Sequence, residues 1–109
     1  MDKDEIIIKV KRYADLVNMN LKPSKIILYG SFAKGSWHED SDIDVAVIVD
    51  SIDGDILETE KTLFKLRRTI DDRIEPVLLE EKSDASGFLK DLLEYGQVIY
   101  SRQAPACPP

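Results

Sequence analysis

The chain has 109 residues, 43% of them hydrophobic, and carries a net charge of −6 at pH 7. That length supports one hydrophobic core, so a single domain is expected, and the acidic balance has the wrong sign for holding nucleic acid through its phosphates. The N-terminus, Met1-Asp2-Lys3-Asp4-Glu5, is charged where a secretion signal would be apolar, and no apolar run approaches the ~20 residues of a membrane span. A cytoplasmic protein that engages neither nucleic acid nor membrane is expected. The one cysteine, Cys107, lies in a Pro-rich tail over residues 104–109 that reads as disordered and cannot form a disulfide within the chain.

Asp2, with Glu5 three residues on, makes a capping arrangement, and Ile7, Val10, Ala14 and Val17 follow at helical spacing. This predicts an amphipathic first helix that ends before a turn over residues 18–23. Ile26 to Tyr29 reads as a short buried strand that runs into Gly30-Ser31. Residues 32–35 read as one helical turn closed by Gly35. In the loop beyond, His38 beside Glu39 and Asp40 reads as solvated, and Trp37 as a cover for the sheet edge.

The next strand opens with Asp42-Ile43-Asp44 and continues through five apolar residues to Val49. Side chains alternate along a strand, so Asp42 and Asp44 share a face about 7 Å apart, which outlines a metal site. The β-branched run behind them, apolar on both faces, gives the carboxylates a rigid mount. Gly30 has no Cβ to keep a phosphate from the backbone, while Ser31 offers a hydroxyl and heads a segment whose free N–H groups favour an anion. Alone, Gly30-Ser31 is an ordinary turn and Asp42-x-Asp44 an ordinary solvated strand start. Together, at a spacing of ten residues, they are expected by chance in about one chain of this length per thousand.

Residues 50–55 form a turn able to cap a helix, and Ile56, Leu63, Leu66 and Ile70 mark that helix's inner side, with Arg67 and Arg68 as favourable charges in its last turn. Residues 73–80, RIEPVLLE, read as a third strand with Glu75 on the side of Val77 and Leu79, and Pro76 confines it to an edge or a bulge. From Ser83 the pattern predicts a helix with Phe88, Leu92 and Tyr95, or Leu89 and Leu93, inward. Gly96 is its terminator, and a strand from Gln97 to Tyr100 follows. The class is α/β, and element order alone leaves parallel and mixed pairing open.

The stretch LYGSFAKGSWHEDSDIDVAVIV resembles the nucleotidyltransferases of the DNA polymerase β superfamily, specifically the minimal nucleotidyltransferases, and in order of elements the resemblance runs from about Ile6 to Tyr100. It implies a polymerase β-like palm over residues 1–103, of α/β (α+β) class, with a small mixed sheet flanked by helices. It implies ATP as substrate and two Mg²⁺ ions held by Asp42, Asp44 and a third acid, with Gly30 and Ser31 on the phosphates and Lys34 near the triphosphate. The third acid is assigned to Glu75, where the family most often has Asp, with Asp71 and Asp72 on the preceding turn as alternatives. No basic partner is expected among the three carboxylates. Family membership further implies transfer of AMP to a tyrosine of a HEPN ribonuclease toxin, with this chain as the antitoxin in a hetero-oligomer. The competing readings are a small-molecule acceptor such as an aminoglycoside, or a toxin-binding module without catalysis.

Overall fold

Helix α1 (Lys3–Leu21) packs on one face of a four-stranded sheet made of β1 (Lys25–Tyr29), β2 (Ile43–Val49), β3 (Ile74–Glu80) and β4 (Gln97–Ser101). This arrangement comes from a computed structural model that describes residues 3–30, 42–50, 52, 54–81 and 87–102. Two further helices, α2 (Ile56–Leu66) and α3 (Phe88–Tyr95), precede β3 and β4, and a short 3-10 turn over Arg67–Thr69 extends α2. The strand order is β3-β2-β1-β4. β1 runs antiparallel to both neighbours, whereas β2 and β3 are parallel and joined through α2, so the sheet is mixed. Among the described residues no helix is long and apolar enough to cross a membrane.

Alternation along the strands sorts the core into two faces. Ile26 and Leu28 of β1, with Val45 and Val47 of β2, form one face, which packs against Ile6, Val10, Tyr13 and Val17 of α1 and Leu63 of α2. On the other face Ile27, Ala46 and Ile48 meet Leu92 of α3. Among the described residues the first cluster holds fourteen buried side chains and the second four. At roughly 1.5–3 kcal/mol per buried aliphatic side chain, most of the burial energy therefore sits on the α1/α2 face. Among the described residues α3 is the one helix packed on the second face, which also carries the acidic residues.

Helix α1 continues past its expected end before residue 18, because Leu21 prolongs the apolar stripe and joins the core. The turn shrinks to residues 22–24, with Lys22 at φ +54 breaking the helix. The buried Tyr13 hydroxyl donates to the Leu63 carbonyl at 2.7 Å and ties α1 to α2. Asp55 caps α2 as its composition suggests, its carboxylate accepting from the Leu57 N–H at 2.9 Å.

β3 is an edge strand, which accommodates Pro76. The Arg73 carbonyl accepts from Ile43 on β2, while that of Ile74 is taken by the Arg67 guanidinium. Even-numbered residues of β3 thus direct their backbone away from β2, and Pro76 loses no ladder bond. Helix α3 begins at Phe88, after Gly87 at φ +78, and buries Leu92, whereas Leu93 and Tyr95 are exposed. Gly96 is not a left-handed terminator, since its φ is −89. It is required for space: a Cβ there would lie 2.6 Å from both Ile27 Cγ2 and the Leu92 carbonyl oxygen.

Candidate active site

Three residues on three adjacent strands form a row across the α3 face. Tyr29 at the end of β1 pairs with Asp44 on β2, and Asp44 pairs with Glu75 on β3. Neighbouring strands are about 4.8 Å apart, so register alone brings the Asp44 and Glu75 side chains side by side. Asp42 stands two residues before Asp44 on the same face, exposed at the mouth of β2. The parallel pairing of β2 with β3 is what joins an acid at position 44 to one at position 75.

Electrostatics mark Asp44 as the strained member of the row. Burial raises its carboxyl above the usual Asp range, and the charges of Asp42 and Glu75 raise it further. The Tyr29 phenol is raised as well, first by burial and then by Asp44 and Glu75. Gly30 closes the corner with φ +75, and a Cβ placed on it would run into the Asp44 carboxylate, with Asp44 Cγ only 3.1 Å away. The glycine is therefore needed twice, for its conformation and for the room it leaves beside Asp44.

Glu75 has a basic neighbour after all. Arg67 Nη1 lies 3.9 Å from Glu75 Oε1, donates to the Ile74 carbonyl at 2.8 Å, and stands 4.9 Å over the Phe64 ring. The expectation of three carboxylates with no basic partner is corrected accordingly: Arg67, expected only as a helix-end charge, stands in the 3-10 turn and reaches Glu75 and the Ile74 carbonyl on β3. Among the described residues no three His, Cys, Asp or Glu side chains are drawn together as a finished metal cage. Asp71 has its own partners. It accepts from Lys9 at 2.9 Å, from the Arg73 side chain at 2.9 Å and from the Arg73 N–H at 2.9 Å, and these hold its carboxyl well below the usual range. Ser31, Lys34, Trp37 and His38 lie outside the described residues. Tyr29 escaped the sequence reading, although its position just before Gly30 and two after Ile27 places it on the acidic face.

Comparison with known proteins decides the family. The polymerase β nucleotidyltransferase family profile matches residues 7–105. The chain belongs to this family. A Methanocaldococcus jannaschii protein provisionally named protein adenylyltransferase MJ0604 is 38% identical over 77 residues, spanning 70% of this chain and 77% of that protein. Among solved structures, a protein of Sulfolobus solfataricus provisionally described as a nucleotidyltransferase superposes with a TM-score of 0.69 at 17% identity, covering 98% of this chain and 90% of that one. A toxin–antitoxin complex with AMP-PNP gives 0.60 at 22% identity, and a mutant MntA–HpeT toxin–antitoxin complex gives 0.59 at 20%; each alignment covers 94% of this chain and 76% of the matched chain. At these identities the structural likenesses establish the fold, while the family match makes the chain a nucleotidyltransferase.

Proposed function

We propose that this nucleotidyltransferase transfers AMP from ATP to a hydroxyl of a partner protein, a tyrosine of a HEPN ribonuclease toxin, and so acts as an antitoxin. The observation that carries the reading is the register of Asp44 with Glu75 beside Gly30, which gathers carboxylate oxygens and a Cβ-free backbone at one corner of the sheet. The relative provisionally named as a protein adenylyltransferase supports a protein acceptor, and the toxin–antitoxin structures of the same fold support a toxin partner.

The donor set suits a hard divalent cation, because it consists of carboxylates and the strained Asp44 would gain most from a positive charge. Asp42, Asp44 and Glu75 would hold Mg²⁺, as two ions, which when bound neutralises charge on the phosphates and eases deprotonation of the attacking hydroxyl. Gly30 admits the triphosphate to the backbone and with Ser31 would hold its β and γ phosphates, and Lys34 would supply a positive charge toward the triphosphate. The acceptor oxygen forms the new bond to the α phosphorus as the bond to the bridging oxygen breaks, pyrophosphate leaves, and the hydroxyl proton passes to solvent. Such chemistry needs positioning and charge rather than a protein nucleophile.

The test uses the chain with the protein that co-purifies with it, Mg²⁺ and radiolabelled ATP. Label in the α phosphate should appear on a tyrosine peptide of the partner, and label in the γ phosphate should not. Transfer from γ, or none to a partner that still binds, overturns the proposal.

A further inference from the structure

Helix α2 keeps an apolar seam in solvent. Leu57 is 62% exposed and Phe64, seven residues on, is 38% exposed, with Ile56 beside Leu57 at 44%. Leu57 and Phe64 line an open groove of about 550 Å³ along this side of the helix, together with Glu60, Lys61, Lys65 and Arg68. The spacing of these six residues is that of one helix face. The face is basic in an acidic chain: residues 61–68, KTLFKLRR, hold four of the fifteen Lys and Arg and no acid, against a net charge of −6. Among the described lining residues three bases stand against one acid, Glu60. Lys61 lies 3.6 Å from its own Glu58 with both side chains in water, a contact that an incoming carboxylate can replace.

We infer that this face of α2 docks the acceptor protein, through an amphipathic helix of that protein whose apolar anchors recur at heptad spacing and are flanked by carboxylates. The inference rests on the nucleotidyltransferase reading. Leu57 and Phe64 are two helical turns apart, which matches the i, i+7 rhythm with which a second helix presents its anchors. Lys61, Lys65 and Arg68 set the sign of the flanking charge. A groove receives a ridge of side chains, whereas an anionic membrane would meet a chain whose net charge repels it. The groove is also continuous with the acidic row. Phe64 lies under Arg67, 4.9 Å from guanidinium carbon to ring centroid, and Arg67 Nη1 is 3.9 Å from Glu75 Oε1. One arginine thus separates a protein seated on α2 from the Glu75 end of the row.

Fluorescence anisotropy tests the surface with two labelled synthetic helices that share leucines at heptad spacing, one flanked by glutamates and the other by lysines. Sedimentation tests it with phosphatidylserine vesicles. The native chain should bind the glutamate helix at least tenfold more tightly than the lysine helix, and raising the salt should weaken that binding about tenfold. Leu57→Asp, and Lys61→Gln with Lys65→Gln, should each lose about tenfold in affinity for the glutamate helix at an unchanged melting temperature, because all three side chains are exposed. Lys61→Arg with Lys65→Arg should keep it. In AMP transfer to the co-purifying protein the same losses should appear in the KM for that protein, and not in kcat or in the Mg-ATP-induced rise in melting temperature. Equal binding of both helices, capture by vesicles instead of the glutamate helix, or a dimer of this chain that Leu57→Asp abolishes overturns the docking surface. An unchanged KM in the variants does so as well, and in each case the transferase reading stands. Charge-dependent binding of the glutamate helix without transfer of the α-phosphate label overturns the transferase reading and leaves α2 as the docking face for a partner that accepts no nucleotide.

Discussion

Gly30 and Asp44 are fitted to one another: a Cβ on the glycine would run into the aspartate's carboxylate, and the glycine's φ of +75 is itself unfavourable for other residues. Gly30→Ala therefore carries two costs, about 1 kcal/mol for the left-handed backbone and a further ~1–3 kcal/mol to push Asp44 aside. Thermal unfolding should show a loss of about 10 °C for a chain of this size. The Mg-ATP-induced rise in melting temperature should be lost as well. A Gly30→Ala protein that melts and responds like the native one would mean that Asp44 can turn away freely.

Asp44 also sets a pH dependence whose sign is opposite to that of most carboxylates. Its folded pKa is raised by burial and by Asp42 and Glu75. The folded state thus holds more protons than the unfolded one from the ordinary Asp pKa of ~3.9 up to the folded value, and stability contributed there is present at low pH and lost as pH rises. Without metal, Asp44→Asn should melt at or above the native protein at pH 7, and the gap should close below about pH 4. Mg-ATP should stabilise the native protein by mass action and leave the variant nearly unshifted. A variant that melts several degrees lower at pH 7 and keeps the full response would remove Asp44 from the site.

Asp71 behaves in the ordinary direction. Its carboxyl is held low chiefly by the Arg73 side chain, and also by Lys9, so its contribution is present above the unfolded pKa and lost as pH falls. Only 11% of the side chain is exposed. Asp71→Asn should cost about 2 kcal/mol, near 10 °C in melting temperature, by unpairing α1 from the turn before β3. It should retain the Mg-ATP shift. Loss of that shift at unchanged stability would instead make Asp71 the third ligand.

The legible parts of this fold were those written in local pattern. Alternation placed Asp42 and Asp44 on one face, and Pro76 confined β3 to an edge or a bulge, of which the topology has the edge. Local pattern alone did not supply the row Tyr29-Asp44-Glu75: the family resemblance joined Glu75 to Asp44, whereas Tyr29's place and the register depend on which strands pair, and those choices are made by packing between residues far apart in sequence. Helix ends failed for a related reason: Leu21 is helical because it reaches the core, although the residues around it carry turn signals. Gly96 shows a third limit. Its position at a helix end suggested conformational freedom, whereas its neighbours Ile27 and Leu92 show that the requirement is steric.

Glu75 provides the test of the third acid. Its contact with Arg67 is long, at 3.9 Å, and its side chain is 46% exposed, so the pair contributes at most ~0.5 kcal/mol to stability after solvent screening. Arg67 remains anchored by the Ile74 carbonyl and the Phe64 ring when the carboxylate is neutralised. Glu75→Gln should therefore melt within about 3 °C of the native protein without metal. Register with Asp44 makes it a ligand in the proposed site, so the variant should lose most of the Mg-ATP shift and at least 100-fold in transfer rate, which corresponds to about 2.7 kcal/mol of transition-state stabilisation. Combining Glu75→Gln with Asp44→Asn should add little further loss, since both act through one site. Full retention of the shift in Glu75→Gln would assign the third position elsewhere, and additive losses would place the two acids at separate sites.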